Sequence, residues 1–320
     1  MRDGKNIGDT LPGTGGSDGS AQLELKVSSS SQHKADIVLA LVAIAWGSSY
    51  LMMKCALEQI PSYCLIGLRF GIAFVVVALI FARKMRGISV GLLVHAAILA
   101  AMMFASFAFL TYGLPLTSAS NAGFLIALAV VFAPVINAVL LRRFPEWPIT
   151  TGVLLALVGI ALLSLQGTLV LQTGDFFCLL SALAYSAEIV AVDRFVRKYN
   201  ALLLGIWQIG FTAIFGFAFS FIFETPVLPS DPAHWGAVIG LALICSAFGF
   251  VAQPLAQRYT TADHTALLFA CEPLSSAVIA FFLAGEILSV QGYCGAVLVL
   301  AGVLVASALP AILEKRRGNS

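Results

Sequence analysis

The chain has 320 residues, of which 60% are hydrophobic and only 11% are charged, with a formal net charge of +2. Soluble domains contain roughly 45–50% apolar and 25% charged residues. The composition therefore excludes a soluble globular protein and indicates an integral membrane protein.

The first part of the chain, residues 1–36, differs in kind from the rest. It is polar, with the stretches GSDGS and SSSSQ, and it contains no apolar run of the kind found in a signal peptide. A segment with so few apolar side chains cannot bury enough surface to fold. We therefore predict a disordered cytoplasmic tail.

Ten apolar stretches of about 20 residues follow, each long enough to cross a hydrocarbon core as a helix. These are segments 1 to 10: Ile37–Leu57, Tyr63–Ala82, Val90–Leu110, Asn121–Leu141, Trp147–Leu165, Phe176–Val196, Ala201–Phe223, Trp235–Ala256, Thr265–Ala284 and Val290–Leu309. The predicted fold class is therefore an all-α integral membrane protein with ten transmembrane helices.

The basic residues predict the orientation. If the tail is cytoplasmic, all but two of the 18 Lys and Arg residues lie on the cytoplasmic side, in loops, tails or the end of a segment, and the exceptions, Lys54 and Arg69, lie inside helices. Such a bias is the positive-inside pattern. It predicts that both termini, including a basic C-terminal tail at residues 310–320, are in the cytoplasm. The membrane we expect is the plasma or inner membrane.

The second half of the membrane region repeats the first. AWGSSYLMMK, from Ala45, aligns with AYSAEIVAVD, from Ala184, and LTSASNAGFLIAL, from Leu116, aligns with YTTADHTALLFAC, from Tyr259. The offset stays close to 140 residues throughout. We therefore predict two repeats, residues 37–166 and 174–309. Since each has five segments, the second enters the membrane from the opposite side, which is the architecture of alternating access.

These residues also carry a family resemblance. AWGSSYLMMKCALEQIPSYCLIGLRF, LTSASNAGFLIALAVVFAPVINAVLL and CEPLSSAVIAFFLAGEILSVQGYCGAVLVLAGVLV resemble the ten-helix EamA-type exporters of the drug/metabolite transporter superfamily. The resemblance implies a central cavity lined mainly by segments 1, 3, 4, 6, 8 and 9, and efflux of amino acids or other small metabolites. The chain departs from the pattern at RRFPEWP, where the first repeat lacks the Gly-Glu spacing.

Charges inside a membrane segment are costly and are the first candidates for function. Lys54 and Glu58 at the outer end of segment 1, and Asp193 and Arg197 at the inner end of segment 6, are spaced to form ion pairs on one helix face. For both pairs we favour a structural role at the membrane interface. Arg69 lies deeper, and two roles remain open for it: bonding backbone carbonyls, or recognising a substrate carboxylate.

Glu188 is the main candidate for proton coupling. It lies well inside segment 6, has no basic residue three or four positions away, and aligns with Ser49 of the WGSS signature. Desolvation favours the protonated form of a carboxyl, so the side chain could exchange a proton for substrate. A first-helix glutamate plays this part in the related small multidrug resistance transporters. The alternative is a permanently neutral, packed acid.

Two further groups complete the predicted site. Glu272 lies inside segment 9, immediately before Pro273, which removes a backbone hydrogen bond of the helix. Two roles remain open for its carboxyl: a part in function, or a structural part at the proline kink. Aromatic side chains are predicted to form an apolar wall around a small organic molecule. The full set of predicted substrate-binding or coupling residues is Trp46, Ser49, Tyr50, Arg69, Tyr112, Phe124, Tyr185, Glu188 and Glu272.

The resulting hypothesis is a secondary transporter that exports a small organic metabolite, with proton coupling through these carboxyls. No cofactor, metal site or nucleic-acid partner is expected; the partners are the small-molecule substrate and the lipid bilayer, and the protein is a monomer or homodimer. The alternatives are a membrane-embedded enzyme, which the sparse histidines do not favour, and a passive channel for small solutes.

Overall fold

The computed structural model describes residues 29–85, 88–140, 142, 147–164, 172–196, 198–257, 268–269 and 271–317. Twelve α-helices and one π-helical segment are assigned within these ranges. They are α1 (Ser29–Ala56), α2 (Ser62–Phe81), α3 (Val90–Gly113), α4 (Ala119–Ile126), α5 (Ala129–Leu140), α6 (Trp147–Ser164), α7 (Thr173–Phe195), α8 (Ala201–Phe223), α9 (Pro232–Gly240), the π-helical segment Leu241–Phe248, α10 (Gly249–Gln257), α11 (Cys271–Ala284) and α12 (Val290–Arg317).

The helices account for the ten predicted segments. Six described helices are long and apolar enough to cross a membrane, and four shorter apolar helices occupy the positions of predicted segments 4, 5, 9 and 10. Segment 4 is formed by α4 and α5, and segment 8 by α9, the π-helical segment and α10. In hydrocarbon every backbone N–H and C=O must bond within the protein, which a helix does along its own length. The protein is a multi-pass, all-α membrane protein.

Two helix ends differ from the predicted tails. Helix α1 begins at Ser29, inside the predicted N-terminal tail, and α12 continues to Arg317, through most of the predicted basic C-terminal tail. Residues 1–28 lie outside the described part of the chain.

The packing of the helices follows the repeat. Helix α2 packs against its counterpart α8, and α6 packs against its counterpart α12. Helix α3 packs against α7, and the equivalent contact in the other half is that of segment 8 with α1. Helix α1 also packs against α11, and the equivalent contact is that of α7 with α4 and α5. A pairing that maps onto itself when the two halves are exchanged is what a pseudo-two-fold axis produces.

Small residues allow α6 and α12 to approach closely. A Cβ added to Gly302 would lie 2.5 Å from the carbonyl oxygen of Gly152, and one added to Gly159 would lie 2.7 Å from that of Gly295. Gly302 and Ala306 have the small-xxx-small spacing of a close-packing face on segment 10. The Gly302 side of that face packs on α6, whereas the side chain of Ala306 lies outside the described residues.

The glycine contact predicts a difference between two Gly→Ala substitutions. Gly302→Ala is expected to lower the thermal midpoint of the purified protein by several degrees, because overpacking costs about 1–3 kcal/mol. Gly236→Ala is the matched control, since its Cβ would meet nothing within 4 Å. Equal midpoints for the two variants in a thermal-shift assay would contradict the assigned contact.

Candidate functional site

A cavity lies between the two repeats. Its void measures about 470 Å³, including the part that is open to solvent. Helices α1, α2, α3, α4, α7, α10 and α11 contribute its wall, which agrees with the predicted helices and adds α2. The lining residues are Trp46, Ser49, Tyr50, Arg69, Ser106, Phe107, Leu110, Ile126, Ser181, Tyr185, Phe250 and Glu272.

Trp46 joins the first repeat to segment 8 of the second. Its indole N–H donates to the carbonyl oxygen of Cys245 at 2.9 Å, and its ring lies 5.5 Å from those of Phe250 and Phe269. Cys245 belongs to the π-helical segment, and such segments occur often at functional sites. A Cβ at Gly249 would lie 2.4 Å from Trp46 Nε1. The indole can therefore occupy this place only because residue 249 is glycine.

Arg69 is a buried cation in the cavity wall, with 2% of its surface exposed. Its Nε–H donates to Ser246 Oγ at 2.7 Å, and Nη1 lies 3.3 Å from Met53 Sδ. The guanidinium carbon is 4.7 Å from the ring centre of Phe107, a cation–π distance. Among the described residues no carboxylate forms an ion pair with Arg69. The charge is therefore held by a hydroxyl, a thioether and aromatic faces.

Glu272 and Tyr50 connect the repeats on another side of the cavity. The Tyr50 hydroxyl donates to Glu272 Oε1 at 2.6 Å, although the two residues are 222 positions apart in sequence. Both line the cavity together with Tyr185, which is half-buried. The structure thus gives Glu272 a side-chain partner and a place in the wall, in addition to its position before Pro273.

Glu188 lies behind the wall rather than in it. Its side chain is buried, with 6% exposed, and it accepts a hydrogen bond of 2.7 Å from Gln208 Nε2. Gln208 also contacts Met103 Sδ at 3.2 Å. Since Gln208 is the repeat counterpart of Arg69, the first repeat has a cation where the second has an amide that bonds a carboxyl.

Two residues predicted for the cavity wall lie elsewhere. Tyr112 is 43% exposed, and its ring lies 5.5 Å from that of Tyr63. The Tyr63 ring also contacts those of Phe219 and Phe223. Phe124 is buried in the main hydrophobic core and does not line the cavity. Helical periodicity shows that a side chain faces protein or lipid, but it does not distinguish a core position from a cavity position.

Several lining residues were absent from the sequence prediction. Ser106 and Ser181 face each other across α3 and α7, with their hydroxyl oxygens 3.0 Å apart. Ser246, which bonds Arg69, is the counterpart of Ser106 at an offset of 140 residues. That shared offset was the one signal that could have drawn attention to these hydroxyl groups.

The predicted pair of Lys54 and Glu58 does not form. Helix α1 ends at Ala56, so Glu58 lies in the following turn and the helical spacing of four residues is lost. Lys54 Nζ instead lies 3.2 Å from Glu286 Oε1, in the turn between α11 and α12. Glu58 Oε2 is 3.6 Å from His234 Nε2. The equivalent pair in the second repeat is Asp193 and Arg197, whose side chains lie outside the described part of the chain.

Glu286 is the charged residue that the sequence reasoning missed. Gly285 before it has a φ of +65°, a conformation that ends a helix and favours glycine. Glu286 accepts hydrogen bonds from the N–H groups of Ala119 and Ser120 at 3.1 and 3.2 Å. Burial by itself would raise the pKa of this carboxyl, but these bonds and Lys54 hold it below its usual range. The feature of the sequence that could have indicated the contact of Glu286 with α4 is the Gly-Glu pair, Gly285 and Glu286.

Comparison with known proteins assigns the chain to a family. A sequence profile described as the EamA-like transporter family matches residues 33–165 and again residues 172–308. The chain belongs to the EamA-like transporter family. The two matches correspond to the two halves that pack around the cavity.

Named relatives agree with the family. An uncharacterized transporter of Archaeoglobus fulgidus is 32% identical to this EamA-like protein over 282 residues, which is 85% of each chain. A probable terminal-alkyne amino-acid exporter of Streptantibioticus cattleyicolor is 27% identical over 85% of this chain and 93% of its own. A solved crystal structure with 20% identity has a TM-score of 0.65 and covers 88% of this chain and 99% of its own; it supports the fold alone.

The family identifies the protein as a membrane transporter and points to transport rather than catalysis. Within the described residues no group of three or more His, Cys, Asp or Glu side chains is arranged to hold a metal ion. The chemical features of the cavity in this EamA-like transporter are one guanidinium, one carboxyl, hydroxyl groups and aromatic faces.

Proposed function

We propose that this EamA-like transporter is a secondary exporter of a small organic metabolite with a carboxylate group, an amino acid or a similar compound. In this proposal it works by alternating access in the plasma or inner membrane, with both termini in the cytoplasm. Protonation and deprotonation of buried carboxyls couple transport to the proton gradient.

The observation that carries the proposal is Arg69. Its guanidinium is buried in the cavity wall and has no carboxylate partner among the described residues. Some of its five N–H donors are therefore available to a ligand. Arginine binds carboxylates in a planar, bidentate way. A substrate carboxylate would supply the missing anion and would be held near the hydroxyl of Ser246.

The rest of the wall suits the remainder of such a molecule. Phe107, Phe250 and Trp46 offer apolar and aromatic surface to a carbon skeleton. An amino acid also carries an ammonium group, and Glu272 is the carboxyl in the wall that could pair with it. The relative named as an amino-acid exporter supports this substrate class.

The substrate class is tested by export from cells. Cells that contain the protein and cells that lack it are loaded with a panel of labelled amino acids and related carboxylates, and export rates are compared. We expect faster export of at least one carboxylate in the presence of the protein. If only compounds without a carboxylate are exported, the role of Arg69 in this proposal is wrong.

The orientation is tested by cysteine labelling. In a background without native cysteines, Ser230→Cys is expected to react with an impermeant maleimide added to intact cells, whereas Lys198→Cys is expected to react only after permeabilisation. Both side chains are exposed and lie at opposite ends of α8 and its flanking turns. Labelling of the Lys198 variant in intact cells would contradict the cytoplasmic placement of the termini.

A further inference from the structure

The segments that line the cavity converge at one end of the bundle. Lys54 follows Tyr50 by four residues, which is about 6 Å along a helix. Thr117 follows the end of α3, which carries Leu110, and Ala119 begins α4, which carries Ile126. Glu286 follows the end of α11, which carries Glu272. We call this the Lys54 end of the cavity.

Lys54 and Glu286 join these segments across the two repeats. Lys54 Nζ lies 3.2 Å from Glu286 Oε1 and donates to the carbonyl oxygen of Thr117 at 3.2 Å. Glu286 accepts from the backbone N–H groups of Ala119 and Ser120 and from the Ser120 hydroxyl at 3.1 Å. The contact therefore links α1 and the first turn of α4, from the first repeat, to the α11–α12 turn of the second.

The Thr117 side of this contact is held firmly in place. The Thr117 hydroxyl donates to Asp175 Oδ1 of α7 at 2.5 Å, and Asp175 is fully buried. A Cβ on Gly174 would lie 2.6 Å from the carbonyl oxygen of Leu116, so α7 touches this turn through backbone atoms. Lys54 thus meets a rigid turn on one side and Glu286 on the other.

The contact between Lys54 and Glu286 differs from the deeper packing because it is polar and partly exposed to solvent. Below it, α1 touches α11 at Gly47, where a Cβ would lie 2.6 Å from the carbonyl oxygen of Glu272. The charged groups are more accessible: the side chains of Lys54 and Glu286 are 34% and 17% exposed. A partly exposed ion pair is worth little because water solvates the separated charges, and a carboxylate at a helix N-terminus adds a modest stabilisation.

We propose that Lys54, Glu286 and the first turn of α4 form a gate that closes the cavity at the Lys54 end. This inference rests on the proposed alternating access, in which each end of the cavity opens in turn. Separation of Glu286 from Lys54 and from the α4 amides accompanies opening of this end. The gate thereby regulates access to the site that contains Arg69 and Glu272.

The gate is tested with a reporter cysteine, Ser106→Cys, in the full-length protein without native cysteines, because Ser106 lines the cavity. The reaction of the reporter with an impermeant maleimide is timed from each side, in right-side-out and inside-out vesicles. Glu286→Gln and Lys54→Met are expected to speed labelling from the Lys54 side about fivefold, since they remove the ionic contribution. Lys54→Arg retains the cation and is expected to label as slowly as the parent.

The matched control is Glu58→Gln. Glu58 is an acid at the same end of the bundle, but it lies 3.6 Å from His234 and takes no part in the contact with α4. Its labelling rate is expected to equal that of the parent. Unchanged rates for both gate variants, or faster labelling in the Glu58 variant as well, would overturn the gate. Because labelling needs no substrate, faster labelling in the gate variants alone would support the gate even if the parent exports no carboxylate.

Discussion

Arg69→Gln is expected to weaken substrate binding about 100-fold while leaving the protein folded. Truncating one partner of a buried, hydrogen-bonded charge pair costs roughly 2–5 kcal/mol, and each 1.4 kcal/mol is a factor of ten in affinity. Glutamine can still bond Ser246 but has no charge for a carboxylate. The measurement is equilibrium binding, to the purified protein, of the carboxylate that the export panel identifies.

Stability separates this role of Arg69 from a structural one. A cation buried without an anion is costly, so the neutral Arg69→Gln variant is expected to unfold at the same or a higher temperature than the parent. Arg194→Gln is the control, because Arg194 is an exposed arginine at the end of α7. The affinity of the Arg194→Gln variant for the substrate is expected to equal that of the parent. A lower unfolding temperature together with undiminished affinity in the Arg69 variant would show that the guanidinium only holds the fold.

Glu188→Gln is expected to abolish proton-driven accumulation and to retain substrate exchange. In the parent protein, Gln208 Nε2 donates to Glu188 Oε1 at 2.7 Å. The substitution keeps the size of the side chain and an oxygen that can accept this bond, but it removes the titratable proton. In liposomes with an imposed difference of one pH unit, one proton per substrate supports at most about tenfold accumulation. We expect the parent to approach that ratio and the variant to remain near equal concentrations.

Exchange of labelled for unlabelled substrate, without a pH gradient, is the control within the same preparation. It is expected to continue in the Glu188→Gln variant because the cavity wall itself is unchanged. Undiminished proton-driven accumulation would reject the coupling role of Glu188. Glu272→Gln would then be measured in the same liposomes, since Glu272 is the carboxyl that lies in the wall and bonds Tyr50.

The fold class follows from the amino-acid sequence alone. Segment length and hydrophobicity are properties of short stretches, and they predicted helices where α2, α8 and α12 are found. The repeat predicted which helices are equivalent, and the structure pairs α2 with α8 and α6 with α12 accordingly. Residue type and depth within the segments also predicted Trp46, Ser49, Tyr50, Arg69, Tyr185 and Glu272 as members of one site, and all of them line the cavity.

Which side chains contact one another depends on the packing of the helices and is not visible in the sequence. The Lys54 partner is 232 positions away, whereas the partner predicted from helical spacing lies beyond the end of α1. Tyr112 contacts Tyr63 outside the cavity, and Glu188 lies behind the wall with Gln208. Periodicity reports how a residue relates to its own helix. Contacts between helices depend instead on how closely the backbones approach, which here is set by glycines such as Gly47 and Gly249.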